Sequence, residues 1–523
     1  MKKTGALLSL SILLILTLLG CAESSTKETG EVDAEYGGTL KVAMSAQPPT
    51  LDVHLTTSVD AVDVSTNIYE TLVAQNNKRQ AAPMLAESVE QSEDGLTYIF
   101  KLREGVKFHN GKEMTSEDVV ASMNRWLEVS SRGILLLEGS KFVASDTYTV
   151  ELNLANAVTD VLDILAGRGQ FPAIMPSEVI ASANEDGVTE YIGTGPFKFN
   201  EWKQDQFIRL EKFADYSASE NEPDGITGRK TVYVDSVEFH IIKDSSTRMA
   251  GVQTGEYDIA LRMPFDNYDQ LMDTENLETY SSFDNGTINV VYNKKEGILT
   301  NPEIRKALNT GLDANSIMLG AVGNEDLYRL SPSYMSLDQV DWATDTGKEA
   351  YNLGDKDESE KMLKEAGYDG EELVLISTRD YDHQYNAAVV LKEQLEQIGV
   401  KVKLEIYDWP TLLDKRTNPD NWDLMIVVSS YVTTPSQLLV VNPNWPGWTD
   451  DEKITSSLQS IRTAETLEEG KELWSELQGY IWEDYVPHTL FGHYASIITT
   501  TDQLEDLTIF NTALLWEVKK QNK

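Results

Sequence analysis

Hydrophobic positions along the chain switch between a helical and an alternating period. Residues 385–399, YNAAVVLKEQLEQIG, carry apolar side chains at helical spacing and end at Gly399, and residues 400–407, VKVKLEIY, alternate as a strand does. With the apolar run that precedes them, these segments predict a strand, helix and strand unit over residues 372–407. The fold class is therefore α/β.

Other segments carry clear helix and turn signals. TSEDVVASMNRWLEV begins with Thr115 or Ser116 as N-cap and has acids in its first turn, which predicts a helix. NPEIRKALNTGLD predicts a helix with Pro302 in its first turn. Asp94 and Gly95 predict a hairpin turn, and GGTLKVAMS predicts a strand near the start of the folded body at Gly37.

Residues 424–449, LMIVVSSYVTTPSQLLVVNPNWPGWT, carry no charge. A membrane span needs about 20 mainly apolar residues, and Ser, Thr, Pro and Asn interrupt this run too often. Two interpretations remain: a buried strand with its exit loop, or an uncharged surface that faces a ligand.

The N-terminus has the pattern of a secretory signal. MKK supplies positive charge, residues 5–20 are uncharged and mostly apolar, and Cys21, the only cysteine, ends the run. This resembles the lipobox of bacterial lipoproteins, which implies cleavage after residue 20 and acylation of Cys21. Residues 1–20 are then the signal peptide, and residues 21–36 are a tether that holds the protein outside the cell membrane by its lipid anchor.

Length and charge narrow the function classes. A chain of 523 residues is too long for one hydrophobic core, so at least two folding units are expected. The chain has 85 acidic and 44 basic residues, a net charge of −41, and no basic patch that could hold a phosphate backbone, so nucleic acid is not an expected partner.

Catalytic and metal-binding motifs are missing from the sequence. No GxSxG, HExxH or GxxxxGK[ST] pattern occurs, and GTGPF at 193–197 lacks the third glycine of a dinucleotide loop. His488 and His493 are five residues apart, which is poor metal-ligand spacing, and a surface or hydrogen-bonded role is expected for both. We expect neither an enzyme nor a cofactor, with an extracytoplasmic hydrolase built from distant Ser, His and Asp residues as the alternative.

Three long segments together resemble one family. Residues 85–125, 193–202 and 301–317 are similar to the extracellular solute-binding proteins of the peptide and nickel class (family 5) of ABC importers, here in lipoprotein form. The resemblance implies an α/β fold with two lobes and an inserted extra domain. It implies a monomer that captures a solute between the lobes and delivers it to the permease and ATPase subunits of an importer.

The resemblance also implies a domain plan. Lobe one is expected from residues 37–70, 191–285 and 491–523, the inserted domain from 71–190, and lobe two from 286–490. Because the chain then crosses twice between the lobes, a hinge of two strands is expected, with the pocket between the lobes.

The dipeptide-binding branch of this family implies two sets of ligand contacts. The first is Arg379 with Tyr381, whose Arg would hold a carboxylate in two parallel hydrogen bonds; a surface Arg paired with Asp380 or Asp382 is the alternative. In the second set, alignment on Pro435 places Tyr431 where the branch has an amine-binding Asp. The amine anchor is thus absent, and an ordinary peptide held by its ammonium group is not expected.

The remaining predicted contacts are polar and uncharged. Tyr431, Thr433 and Thr434 would face the ligand, and Trp409 would lie beside the pocket. The expected solute is a small carboxylated molecule, peptide-like or derived from an amino acid. An oligosaccharide is the next alternative, and a metal chelate contacted by Arg132 and His383 is the third; no metal ion bound by the protein itself is expected.

Overall fold

The computed structural model describes residues 36–156, 158 and 160–520. The predicted signal peptide, the tether up to residue 35 and Cys21 lie outside these residues. Among the described helices, none combines the length and apolar character needed to cross a membrane.

Strands and helices are mixed along the whole described range. The strands are β1 (Thr39–Met44), β2 (Val73–Gln75), β3 (Ala81–Pro83), β4 (Ala86–Gln91), β5 (Thr97–Leu102), β6 (Lys141–Asp146), β7 (Thr149–Asn153), β8 (Phe197–Lys203), β9 (Phe207–Lys212), β10 (Ser236–Ile241), β11 (Ile259–Ala260), β12 (Leu277–Tyr292), β13 (Tyr328–Arg329), β14 (Glu372–Thr378), β15 (Lys401–Tyr407), β16 (Leu424–Ser429), β17 (His488–Thr501), β18 (Leu504–Glu505), β19 (Thr508–Phe510), β20 (Thr512–Leu514) and β21 (Lys519–Lys520). The α-helices are α1 (Val59–Ser65), α2 (Ser116–Val129), α3 (Ser131–Leu136), α4 (Val161–Leu165), α5 (Ser177–Ala181), α6 (Ser245–Thr254), α7 (Tyr268–Met272), α8 (Pro302–Gly311), α9 (Ala314–Val322), α10 (Lys356–Glu365), α11 (Asp382–Gln397), α12 (Trp409–Lys415), α13 (Glu452–Arg462) and α14 (Leu467–Tyr480).

One large sheet runs through the molecule in the order β15-β14-β16-β12-β17-β11-β1-β10-β9-β8. We call the half around β1 and β8–β11 lobe one, and the half around β14–β16 with helices α8–α14 lobe two. Strand β14 is parallel to both of its neighbours, β15 and β16. The fold is the two-lobed α/β architecture that the sequence resemblance implies.

Strands β12 and β17 belong to both halves of this sheet. They pair with each other along most of their length. Strand β11 pairs with the C-terminal end of β17, and β16 pairs with the C-terminal end of β12. The pairing of β12 with β17 is interrupted between Ser282 and Gly286. Gly286 has φ +137°, and a Cβ there would lie 2.0 Å from the carbonyl oxygen of Ser429. Only glycine fits this bulge between the lobes.

A separate four-stranded sheet, in the order β4-β5-β7-β6, forms the inserted domain together with α2, α3 and α4. Thr115 caps α2 in a reciprocal capping box with Asp118, so the predicted helix start is confirmed. Val119, Met123 and Trp126 of α2 are buried in the core of this domain. The predicted hairpin turn lies between β4 and β5, where Gly95 has φ +69°.

The predicted unit over residues 372–407 is confirmed as β14, α11 and β15. Gly399 follows the helix with φ +80°, and β14 and β15 pair in parallel from Glu372 opposite Lys401 to Thr378 opposite Tyr407. The helix predicted at Pro302 is α8, capped by the side chain of Asn301, and LMIVV lies within β16, where Leu424, Met425 and Ile426 are buried.

A buried ion pair joins lobe one to the inserted domain. Both guanidinium nitrogens of Arg125 donate to the carboxylate of Asp52, at 3.1 and 2.6 Å, and Nη1 also donates to Nδ1 of His54 at 3.0 Å. Burial acts to raise the pKa of Asp52, but the hydrogen bonds from Arg125 hold it below its usual value. His54 Nε2 donates to the carbonyl oxygen of Ala173, so both ring nitrogens have partners.

Candidate functional site

The carboxyl ends of β14, β15 and β16 lie at one edge of lobe two because the three strands run parallel. In open α/β sheets, ligands bind outside this edge. The residues that follow the three strands include four of those predicted from the sequence, namely Arg379, Tyr381, Trp409 and Tyr431.

Arg379 is exposed directly after β14, and its guanidinium has no partner among the described residues. The neighbouring Asp380 does not pair with it. The Asp380 carboxylate instead accepts from the backbone N–H of Trp409 at 2.7 Å and so fixes the start of α12. The guanidinium of Arg379 therefore remains available to a ligand.

Aromatic rings from both lobes meet at the segment that follows β14. Tyr381 packs edge-on against Trp409 with ring centres 5.3 Å apart, and His383 stacks on Tyr494 at 5.1 Å. Phe265, from the segment that follows β11, lies edge-on to His383 at 5.9 Å. Burial lowers the pKa of His383 to about 4, so its ring is neutral at physiological pH. We call these five residues the aromatic cluster.

Charged residues of lobe one lie near this cluster. Arg262, which has φ +50°, donates to the carboxylates of Asp60 and Asp63. The pKa of Tyr381 is raised by burial and, to a smaller extent, by the negative charge of Asp60. Arg168 also donates to Asp63, at 2.6 Å. Both acids are thus neutralised by arginines.

Tyr431 is tied to β17. Its hydroxyl donates to Nδ1 of His493 at 2.6 Å, and the two rings stack with centres 5.7 Å apart. Nε2 of His493 donates to the carbonyl oxygen of Ser333 at 3.0 Å, which fixes this tautomer. Burial lowers the pKa of His493 to about 4. His493 is therefore hydrogen-bonded, whereas neither ring nitrogen of the buried His488 has a partner in the described part of the chain.

Thr433 and Thr434, expected to face the ligand, are buried against the inserted domain. Thr433 donates to the carbonyl oxygen of Asp163 at 2.8 Å, and Thr434 donates to the carboxylate of Asp160 at 2.7 Å. The uncharged loop after β16 is therefore the surface on which lobe two and the inserted domain meet.

Arg132, on α3 of the inserted domain, reaches the same loop. Its Nη1 donates to Oε1 of Gln437 at 2.9 Å, and no carboxylate of the described residues pairs with it. A Cβ on Gly167 would lie 2.9 Å from Nη1, and one on Gly169 would lie 3.1 Å from Nη2, so the backbone passes close to the guanidinium. Burial lowers the pKa of Arg132 to about 10, which still leaves it charged.

Sequence reasoning missed several residues at this site. Phe265, Tyr494, Asp60 and Arg262 come from distant parts of the chain, and no local motif marks them. The one local signal concerns Arg132, which the sequence did predict: Gly167 and Gly169 leave room for its side chain. Over the described residues, no group of three or more His, Cys, Asp or Glu side chains could hold a metal ion.

Comparison with known proteins identifies relatives over most of the chain. The family model for bacterial extracellular solute-binding proteins, family 5 Middle, matches residues 80–448. A probable peptide ABC transporter periplasmic-binding protein, y4tO of Sinorhizobium fredii, is 30% identical over 87% of this chain and 88% of its own length. The oligopeptide-binding protein AppA of Bacillus subtilis is 27% identical over 83% of this chain and 82% of its own length.

Solved structures share the fold. The structure of AppA from Bacillus subtilis in complex with a nonapeptide superposes with a TM-score of 0.77 at 23% identity, over 94% of this chain and 100% of that one. The structure of AgaA in complex with agropinic acid, from Agrobacterium tumefaciens R10, superposes with a TM-score of 0.76 at 23% identity, over 93% of this chain and 99% of that one.

Proposed function

Since this chain belongs to the bacterial extracellular solute-binding proteins of family 5, we propose that it captures an extracellular solute between its two lobes and delivers it to the permease of an ABC importer. The solute is small and carboxylated, either peptide-like or derived from an amino acid. An acylated Cys21 would hold the protein at the cell membrane. Closure over the solute follows from binding the closed arrangement more tightly than the open one.

The observation that supports a carboxylated solute is that Arg132 has no counter-charge among the described residues. Its guanidinium is partly buried, its one hydrogen-bond partner in the described structure is the amide of Gln437, and no carboxylate of the described residues pairs with it. A buried charge without a counter-charge costs several kcal/mol, roughly, unless a ligand supplies the opposite charge. A ligand carboxylate would satisfy the remaining guanidinium donors in two parallel hydrogen bonds.

Arg379 is the second anchor in this proposal. It stands at the ligand-binding edge of the sheet without a partner among the described residues, beside Tyr381 and Trp409, which offer aromatic surface to the body of the solute. The names of the related complexes agree with an acidic ligand: a peptide ends in a carboxylate, and agropinic acid is an acid.

Position 431 limits the choice of peptide. A free ammonium group needs a counter-charge, and Tyr431 offers only a hydroxyl that already donates to His493. Asp60 and Asp63 are paired with arginines. A solute whose amine is blocked, substituted or absent is therefore preferred over an ordinary dipeptide.

The test begins with mass spectrometry of the solute that co-purifies with the protein, followed by calorimetric titration of that solute into Arg132→Gln and Arg379→Gln. Each variant should bind about 2 to 5 kcal/mol more weakly, the range for truncating one partner of a buried charge pair. Arg229→Gln is the matched control, because Arg229 is an exposed arginine paired with Glu222. Its affinity should equal that of the wild type.

Unchanged affinity in both arginine variants would rule out a carboxylated solute. It would favour an oligosaccharide, the second candidate, which the aromatic cluster would hold through ring faces. A solute that carries a bound metal would favour the chelate. Conversion of the solute during titration would favour a hydrolase, whereas a receptor saturates at one solute per chain and returns it unchanged.

A further inference from the structure

A cavity lies between the inserted domain and lobe two, and Thr433, a solute contact predicted from the sequence, is among the residues that line it. Its volume is about 450 Å³. Tyr98 and Leu162 line it from the inserted domain, and Val340, Trp342 and Leu467 line it from lobe two. An aliphatic chain of a few carbon atoms fits such a lining, and the aromatic faces attract a cation.

Asp160 lines this cavity and has an unused oxygen. The residue is 7% exposed. Its Oδ2 accepts from the hydroxyls of Thr434 and Ser436, but Oδ1, which is buried, has no hydrogen-bond partner in the described structure. A buried carboxylate oxygen without a hydrogen-bond donor destabilises the protein. A ligand that supplies a donor to Oδ1 would remove this cost and so bind favourably.

Asp163 adds a second carboxyl group to the same cavity. Burial and the charge of Asp160, with a smaller contribution from Asp341, raise its pKa to about 7 against an opposing hydrogen bond from the backbone of Ala81. Asp163 therefore carries a proton at neutral pH for part of the time, because burial and the nearby charge of Asp160 both disfavour its ionised form.

The lysines and arginines around the cavity interact with other residues or form no ion pair with Asp160 and Asp163. Arg79 donates to Asn511 and covers the ring of Phe510. Lys471 lies 3.7 Å from Asp341, and Lys78 lines the cavity without an ion pair to either Asp160 or Asp163. Within the described residues, no lysine or arginine thus neutralises the pair of acids.

We infer that this cavity binds a small primary amine, whose ammonium group donates to Asp160 and Asp163 and whose aliphatic body packs on Val340, Trp342 and Leu467. The ammonium would supply the donor that Asp160 Oδ1 lacks. The net charge of −41 would raise the concentration of such cations near the protein. Because both the inserted domain and lobe two line the cavity, an amine bound there favours the arrangement in which they touch.

The test uses n-pentylamine as the probe and 1-pentanol, which has the same body without the charge, as the control ligand. In calorimetric titrations of the full chain at pH 8, the amine should bind at one site and at least tenfold more tightly than the alcohol. Asp160→Asn keeps an acceptor for Thr434 and Ser436, and it should weaken amine binding at least fivefold. Asp273→Asn, which changes an exposed acid, should leave it unchanged.

The pH dependence gives an independent readout. An ammonium binds the ionised form of Asp163, so affinity should rise from pH 6 to pH 8 and binding near pH 7 should release a proton, visible as a heat that depends on the buffer. Asp163→Asn should bind more weakly and lose the proton release. Val340→Trp fills the mouth of the cavity from a position that is 71% exposed, and it should block the amine while the fold is kept.

Three results would overturn the inference: equal binding of the amine and the alcohol, unchanged amine affinity in both Asp160→Asn and Val340→Trp, or loss of amine binding when the co-purified solute is in excess. The last result would place the amine in the cleft between the lobes. None of them affects the proposed capture of a carboxylated solute, which is tested at Arg132 and Arg379.

Discussion

The hydroxyl of Tyr431 donates to Nδ1 of His493 across 2.6 Å, and this bond joins the loop after β16 to strand β17. The sequence resemblance predicts that Tyr431 occupies the position where the dipeptide-binding branch of the family has an amine-binding acid. The neutral hydroxyl and the neutral imidazole satisfy each other, so neither offers a charge to a ligand.

Replacing Tyr431 with Asp should shift the ligand preference from the proposed carboxylated solute toward free dipeptides. A carboxylate at this position should weaken binding of the proposed carboxylated solute by like-charge repulsion and strengthen binding of free dipeptides through their ammonium group. It should also raise the pKa of His493 above its value of about 4. Calorimetry with the native solute and a dipeptide panel checks the affinities, and NMR titration checks the histidine. Tyr431→Asn is the matched control, and a gain in dipeptide affinity there would show that charge is not the cause.

Stability should fall as the pH drops from about 6.5 toward 4. Burial lowers the folded-state pKa of His54, His109, His383 and His493 to about 4 and that of His488 to about 3. The unfolded chain takes up these protons near pH 6.5 while the folded protein does not, so each histidine contributes a slope of up to about 1.4 kcal/mol per pH unit between the two pKa values.

Urea unfolding at pH 7.5, 6.0 and 5.0 measures this slope. His383→Phe removes one titrating group from a partly exposed position, and its slope between pH 6.0 and 5.0 should be smaller than that of the wild type. An identical slope in the variant would contradict the assignment of a lowered pKa to His383.

Gly286→Ala should destabilise the protein more than Gly105→Ala. Both glycines have positive φ, +137° at Gly286 and +72° at Gly105. A Cβ at Gly286 would lie 2.0 Å from the Ser429 carbonyl oxygen, whereas a Cβ at Gly105 would meet no neighbouring atom within 4 Å. Strain at positive φ costs roughly 1–2 kcal/mol, and the clash adds at least about 2 kcal/mol at Gly286. The free energy of unfolding in urea checks this, and equal losses would mean that β12 and β16 separate freely at the bulge.

Arg125→Met should lower the free energy of unfolding by about 3 to 5 kcal/mol, since it leaves the buried Asp52 carboxylate without its partner. The double variant Asp52→Asn with Arg125→Met should recover part of this loss. Arg229→Met breaks an exposed pair and should cost less than about 1 kcal/mol. A loss in Arg125→Met no larger than in Arg229→Met would show that the buried pair does not hold the inserted domain to lobe one.

Local patterns in the sequence determined the elements. Thr115 with Asp118, Pro302, and Gly399 marked helix ends that the structure confirms, because caps and left-handed C-terminal residues act within one or two helical turns. The alternation in residues 400–407 determined a strand for the same reason. Because Arg379 and Tyr381 directly follow a strand of a strand, helix and strand unit, the sequence pattern also predicted their position at the carboxyl edge of the sheet, the edge outside which open α/β sheets bind ligands.

Tertiary structure alone decided which of these groups meet. Arg132 and Gln437 are 305 residues apart, and Thr434 and Asp160 are 274 apart, so no sequence period relates them. The hydroxyls of Thr433 and Thr434 are predicted as ligand contacts by the sequence, yet they donate to the inserted domain, since a buried hydroxyl takes whichever acceptor the packing of two domains brings near. The uncompensated charge of Arg132 and the unbonded Oδ1 of Asp160 arise from the same packing. In each case the surrounding protein surface restricts access to water without supplying an interaction partner among the described residues.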